Sequence, residues 1–544
     1  MPGRLPDICA GDLGLMHSVQ RLLAAVRRLS ARYPTNPRVP ALRAAVVRGS
    51  GVAHPGGRAC VVAVQSVEDP LFYALFSAIV GMLAMQRPVR GELVVVRAVS
   101  GAIGVGWRAW LMRTAAMTWI FSTQWVRAYR RLIGHVAYRN VSWSHPVGDL
   151  LDWFRSVSVW RRKCRETGDF VLDVCGVPVG DLVVDSFLRF RPSPRFRVAD
   201  SLVLRLIWQA HRDVRRARAY FAVRRARFYL TSYSTYLEHG VPVRVALQAG
   251  VPVFSFGNLV RFGKSLSLSD WYHTPDCSHY RAVFETLDNQ EARLTQAAEM
   301  LQFRLSGGVD PATSYMRQSA YASAGEPVPG GLAGAVVVFL HDFYDSPHVY
   351  GDLVFEDFWQ WICFTIEALQ GAGTRFFLKP HPNQIALSSE VLKDLQLAYP
   401  GVQLLSQRLT NAQLAQAGMA CGVTVYGTVA HELAFLGIPS IGCARHPHHT
   451  FDFCRTAGNR AQYADYLSQA LTLRMERETM RTQALQFYYM HNLHGEPAQL
   501  ALRVDFVAFW TACQNEGSTD DAVLQALERL RRSDAFRGFV DQLP

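Results

Sequence analysis

The chain has 544 residues, 49% hydrophobic and 19% charged, a balance that excludes a disordered polypeptide and leaves room for two or three folded domains. Its net charge of +13, carried mainly by arginine, favours an anionic partner: nucleic acid, phosphorylated lipid, acidic glycan or membrane surface. The 10 cysteines include no CxxC pair; the spacings Cys164 to Cys175 and Cys443 to Cys454 fit no zinc template, and with no secretory signal, reduced cytosolic thiols are expected.

Residues 1–55 read as a helical accessory segment, with a basic helix over 13–32 ended by Tyr33-Pro34-Thr35-Asn36-Pro37. An α/β pattern begins at residue 56. It has a strand over 59–65, a helix opened by Asp69-Pro70, and a strand over 92–99, which predicts a right-handed parallel unit. The apolar run 71–86 is shorter than the roughly 20 residues a membrane span needs. Arg113 interrupts the second such run, 111–121, and both are expected to be buried helices. The glycine-rich 101–106 lacks the order of a phosphate loop.

Farther along, Asp181, Asp185 and Arg189 are spaced four apart and would share a face if helical. Either a solvated, self-paired face or a wall of an acceptor site fits them. The arginine-rich 202–227 is expected to be a solvated helix or an electrostatic surface for an anionic acceptor. No nucleic-acid motif accompanies it. Ser232, Ser234 and Thr235 are candidate caps for a helix carrying Tyr236, Glu238 and His239, with Arg244 following a turn at Gly240-Val241-Pro242. Residues 258–310 look mostly helical, and 323–334 reads as an interdomain linker.

The second unit, 331–470, opens with six apolar residues over 335–340, the signature of a strand covered on both faces. It then breaks into His341, Asp342, Asp345, Ser346 and His348, with a helix expected over 355–370. Ligands in open α/β sheets bind at the carboxyl ends of strands, so Asp342 and Asp345 are candidates for chemistry. A plain helix-entry turn at Asp345-Ser346-Pro347 is the competing reading. Further strands are expected over 374–378, 402–405, within 418–426, and over 438–443, with a helix over 429–436. Helices fill 471–544, the clearest over 476–492 and 520–538, and are expected to pack back across the domains. The fold class is therefore α/β: two Rossmann-like domains, the first over 56–330, with helical N- and C-terminal extensions.

Four loops of the second unit fall at strand ends and supply Asp342 and Asp345; His381; Thr428 with Glu432; and Arg445 with His446, His448 and His449. Pro380 and Pro382 restrict His381, and Lys379 adds positive charge, which suits an anionic phosphate leaving group. Gly427-Thr428 opens a helix, whose first amides favour anions. Glu432, one turn on, either faces the same ligand or completes a capping box. The histidines 446–449 are bunched off the helical i, i+4 spacing, no nearby cysteine completes a set, and Asp452 is the only carboxylate candidate. No metal is therefore expected, and the loop is instead expected to touch the nucleotide or sugar.

These motifs resemble bacterial glycosyltransferases of the two-Rossmann (GT-B) type that use CMP-activated sugars, most of all the retaining β-Kdo transferases of capsule and lipopolysaccharide synthesis. The family's Gln-x-x-x-Asp-x-Ser-type loop is similar to His341-Asp342-Phe343-Tyr344-Asp345-Ser346-Pro347. That implies Asp345 as nucleophile, while the exchange of Gln for His341 leaves Asp342 as a rival; in an inverting enzyme Asp345 or Asp342 would instead take the acceptor proton. Its His-Pro motif is matched by His381-Pro382. Its Ser/Thr motif before a Glu-Ala-type helix is matched by Gly427-Thr428 through Glu432. An upstream acidic motif is echoed from Asp181 to Arg189, on the acceptor side. The resemblance spans roughly 59–460. It implies a cytoplasmic transferase, peripheral at the inner membrane, with a CMP-sugar donor, a glycan or glycolipid acceptor and no metal cofactor. His341, Lys379, His381, Pro382, Gly427, Thr428 and Glu432 would bind the donor. Two other readings stay open: another CMP- or CDP-donor transferase (sialyl- or polyol-phosphate), and a non-catalytic nucleic-acid-binding or scaffold protein.

Overall fold

The computed structural model describes residues 59–95, 139–140, 146–310 and 326–544, apart from single positions inside those spans, and a few residues between 38 and 44. The expected helix over 13–32, the glycine run 101–106, the apolar run 111–121 and the start of the linker lie outside the described residues.

The first sheet begins with β1 (Cys60–Gln65). The helix Pro70–Gln86 follows, opened as expected by Asp69, whose carboxylate accepts from Leu71 N–H at 2.8 Å. The helix is buried on nearly every side, under the sheet and the C-terminal helices. β2 (Val89–Val95) returns parallel to β1, and β3 (Arg139–Asn140) joins beyond it. The antiparallel pair β4 (Asp173–Val174) and β5 (Val177–Pro178) leads into the helix Gly180–Phe190. After the helix Ser201–Val223 come β6 (Ala226–Thr231), the helix Leu237–Gln248, β7 (Val253–Phe256) and β8 (Gly263–Leu266). The sheet order is β3-β2-β1-β6-β7-β8, parallel except for the β8 edge.

The arginine-rich helix corrects the expectation of a solvated face. Arg212 and Arg216 are buried, and they converge with Arg215 on the helix Pro146–Lys163. Arg215 donates to Asp152 Oδ2 at 2.7 Å and Arg216 to Asp149 Oδ2 at 2.6 Å. Burial pushes nearby Asp213 up to about 6. These charges cement two helices, so a nucleic-acid surface on this helix loses its central arginines. The helix after β6 is likewise capped from outside. Leu237 N–H donates to Ser186 Oγ at 2.9 Å, and Gly240-Val241-Pro242 lies inside the helix rather than in a turn.

The second sheet is built from β9 (Val336–Phe339), β10 (Phe376–Lys379), β11 (Cys421–Val423), β12 (Ser440–Gly442) and β13 (Cys454–Thr456), in the order β10-β9-β11-β12-β13, all parallel. The strand expected over 402–405 reduces to one bridge, Leu404 to Leu378, beside β10. The chain steps outward from β9 to β10, then crosses to β11 on the other side. That reversal is the switch point at which doubly wound sheets bind ligands. The helix expected over 355–370 runs Phe358–Gly371, with Asp357 as its N-cap.

The C-terminal helices Pro497–Gln514, Asp520–Arg532 and Asp534–Asp541 return to the first sheet, where Phe506, Phe509, Leu527 and Phe536 join Phe72, Phe76 and Phe256 in one core. Among the described residues no helix is long and apolar enough to cross a membrane. The two sheets are also bridged directly. Phe170 N–H donates to Glu356 at 2.8 Å, Phe196 N–H to Asp357 at 2.7 Å, and Arg460 pairs with Asp169 at 2.6 Å.

Candidate active site

The strand ends around the switch point of the second sheet open into a cleft of about 360 Å³. Past β9, Leu340 N–H donates to Lys379 O at 2.9 Å, which keeps two neighbouring strand ends in register. His341 then stacks on Phe358 and leans on Tyr426, with ring centroids at 5.2 and 4.6 Å. Burial drives its imidazole down to about 3, so it is neutral.

Asp345 Oδ1 accepts from Ser346 N–H at 2.9 Å, and the side chain opens onto the cleft while protein encloses it on its other sides. That enclosure raises its carboxyl above the usual range. The Ser346 N–H and the charge of Arg189 act the other way. Asp342 is not on the cleft wall. Its Oδ1 accepts from Tyr344 N–H at 3.1 Å and from the Ser388 hydroxyl at 2.8 Å, so it holds the turn together.

Lys379 ends β10 only 6% exposed, and among the described residues its ammonium meets no hydrogen-bond or ion-pair partner. Burial lowers it to about 8, against the pull of Glu432. A buried cation facing a cleft without a counter-ion suits an anionic ligand. His381 lies beside it, and burial lowers its pKa as well. Glu432 contributes to the wall but is already held: Asn411 Nδ2 donates to it at 2.7 Å, and Arg304 stands at 3.6 Å. It makes no capping box with Thr428, which stands exposed at the N-cap of the helix Val429–Phe435 with no side-chain cap bond. Gly427 N–H is taken by Thr424 Oγ1 at 3.1 Å, and a Cβ on Gly427 would stand 2.8 Å from that oxygen.

Eight expected donor-side residues thus share one cavity: His341, Asp345, Lys379, His381, Pro382, Gly427, Thr428 and Glu432. Asp181 and Arg189 do not meet. Asp181 forms a two-point pair with Arg244, whose guanidinium also donates to Pro178 O at 2.6 Å and covers the Trp271 ring. Arg189 is exposed, and its charge acts on Asp345 and on Tyr233 and Tyr236 of the first domain. Asp185, between them in sequence, reaches across the domains to His348 Nδ1 at 2.7 Å.

Tyr350, Asn411, Thr424 and Tyr426 also line the cleft and have no counterpart among the sequence candidates. Tyr426 carried a signal, since it lies just past β11 and directly before Gly427. In the first domain, the carboxyl ends of β1 and β6 carry a buried polar set: Ser232 N–H donates to Gln65 Oε1 at 2.8 Å, and Gln65 Nε2 lies 2.8 Å from His239 Nδ1.

No family model and no curated protein matches the chain. Several solved structures do. The β-Kdo 2,4-transferase KpsC of Thermosulfurimonas dismutans aligns at TM-score 0.29 and 14% identity, over 48% of this chain and 78% of that one. The UDP-GlcNAc 2-epimerase of Methanocaldococcus jannaschii aligns at 0.23 and 8%, over 78% and 98%. Alr3699/HepE of Anabaena, with UDP and glucose, aligns at 0.23 and 12%, over 87% and 99%. Likenesses at TM-scores this low carry no argument about activity. The α/β class with two Rossmann-like sheets rests on the strand orders themselves.

Proposed function

We propose that the chain is a glycosyltransferase that moves a sugar from a CMP-activated donor, CMP-Kdo or a related ulosonic acid, to a surface polysaccharide or lipid-linked glycan. The observation that carries this reading is the convergence of Asp345, Lys379, His381 and Thr428, from three strand ends, on one cleft. Lys379 meets the donor phosphate as an ammonium and His381 as a neutral imidazole donor. Together they offset the charge that develops on departing CMP, the role a metal ion plays elsewhere. Glu432, fixed by Asn411 and Arg304, takes hydrogen bonds from ribose or cytosine.

Asp345 attacks the anomeric carbon. The bond to the phosphate oxygen breaks and CMP leaves with its electron pair. The acceptor hydroxyl then displaces the carboxylate and passes its proton to the released Asp345 carboxylate or to solvent, so one difficult displacement becomes two easier ones. Arg189 stands near Asp345 and serves an acidic acceptor or the donor's own carboxylate. Contact with the anionic inner membrane surface would follow from the net positive charge.

CMP is expected to raise the melting temperature of the wild type and to lose most of that effect in His381→Ala, read by differential scanning fluorimetry beside CDP and UDP. No shift with any amount of CMP would sink the proposal. The affinity also has a pH signature. Lys379 is charged below about 8 and neutral above it, so CMP should bind more weakly as pH rises from 7 to 9, by up to about tenfold per unit above that value. Calorimetry on wild type and Lys379→Met checks this, since the variant should bind weakly and without the slope.

A further inference from the structure

We propose that His446, His448 and Cys454 form a binding site for one thiophilic transition-metal ion, zinc by the chemistry of its ligands, which pins the loop between β12 and β13. The three side chains are 1%, 0% and 3% exposed. One ligand atom from each lies within 4.8 Å of the others. A tetrahedral ion with bonds of about 2.0–2.3 Å sets its ligands roughly 3.5 Å apart, so small side-chain rotations close the set.

Two observations point to an ion rather than to packing. Both ring nitrogens of His448 and Nδ1 of His446 are buried without a hydrogen-bond partner among the described residues. Buried imidazole nitrogens left unpaired carry a desolvation cost that nothing else here offsets, and a metal ion accepts the lone pair of each ring. Gly442, on β12, leaves the space open. A Cβ there would stand 3.2 Å from Cys454 Sγ and 3.3 Å from His446 Nε2.

The surroundings supply the rest of a site. The Thr456 hydroxyl, 2.7 Å from His446 Nε2 and also hydrogen-bonded to the Cys454 thiol, orients both side chains. Phe453 stacks on His448 and Phe487 meets it edge-on, so that ring is fixed between two aromatic side chains. A cavity of about 30 Å³, lined by His446 among the three ligands and by Arg445, His449 and Asp276, reaches the outer side of the set. On binding, Cys454 releases its thiol proton to solvent and ligates as thiolate, while both histidines ligate neutral. Imidazole and thiolate suit zinc, not magnesium or calcium, which take oxygen ligands.

The site is separate from the cleft, whose walls include none of the three residues. Its effect there is mechanical. Arg445 N–H donates to Gly351 O at 2.8 Å and Val354 N–H to Cys443 O at 3.1 Å, tying this loop to the chain that follows Asp345. The linear sequence conceals the set, because Cys454 is on the next strand and only the β12–β13 pairing brings it back.

The test uses the full, untagged chain stripped with a chelator and then titrated with zinc. The wild type is expected to retain one zinc per chain after desalting, by elemental analysis, and to gain about 5–10 °C in melting temperature. Cobalt in place of zinc should give a thiolate charge-transfer band. Cys454→Ser and His448→Ala should lose the retained zinc and the shift, with the band lost in Cys454→Ser, while CMP still stabilises both. Should either variant fail to fold, the wild-type titration decides alone. A stripped wild type that retains no zinc and shows neither shift nor band overturns the site, as does equal zinc retention by wild type and Cys454→Ser.

Discussion

Asp345→Asn is expected to lower sugar transfer about 10³-fold or more while CMP still binds. The substitution is nearly isosteric. The side-chain oxygen that accepts from Ser346 N–H at 2.9 Å remains, so the loop keeps its shape. What disappears is the negative charge and the electron pair that forms the bond to the anomeric carbon. Lys379, His381 and Thr428 stay as they are, so CMP affinity should change little, and the loss should appear in kcat. Asp342→Asn is the control. Its carboxylate accepts from Tyr344 and Ser388, where a carboxamide oxygen can still accept, and its charge acts on His381 and Asp345 only from outside the cleft wall, so a smaller loss is expected there. A loss at Asp342 that exceeds the loss at Asp345 would reverse the two roles.

The second large effect belongs to a residue that touches no ligand. Asp185→Ala should destabilise the fold by about 3–5 kcal/mol, the cost of breaking one side of a buried pair. Asp185, on the helix Gly180–Phe190 of the first domain, is 2.7 Å from His348 Nδ1. Burial alone would lower the His348 imidazole, but the Asp185 charge and hydrogen bond, together with the charges of Asp181 and Glu356, raise it. His348 lies three residues after Asp345 on the same loop, so the first domain holds the reactive segment of the second through this contact. Denaturant titration reads the loss of stability. Transfer should fall as well, and far more than CMP binding, which depends on side chains at other strand ends. The double variant Asp185→Ala/His348→Ala should cost less than the sum of the single ones, since they share one interaction. Additive effects would mean that the pair is not coupled.

Much of the fold was legible because local signals agreed. Six apolar residues marked β9, Asp69-Pro70 marked a helix start, and Pro380-His381-Pro382 punctuated a strand end. The residues expected at the donor could be placed on one cleft for the same reason, since each sits just past a strand of one doubly wound sheet. The partners of those expected at the acceptor could not be read. Asp181, Asp185 and Arg189 lie on one helix at even spacing, yet they go to Arg244, to His348 across the domains, and to the field around Asp345. Partners 63 and 163 positions away leave no trace in helical periodicity. The arginines near 212–216 were misjudged for that reason too: the carboxylates that bury them, Asp149 and Asp152, are on an earlier helix. β8 and β13 were missed because they are short edge strands of four and three residues, whose alternation is too brief to see.

The most direct test of the account is the intact mass of the protein after incubation with CMP-Kdo and no acceptor. Wild type should gain the mass of one sugar, and Asp345→Asn should gain none. A wild type that carries no adduct, and that releases no CMP when acceptor glycan is supplied, would contradict the assignment of this cleft as a CMP-sugar transferase site.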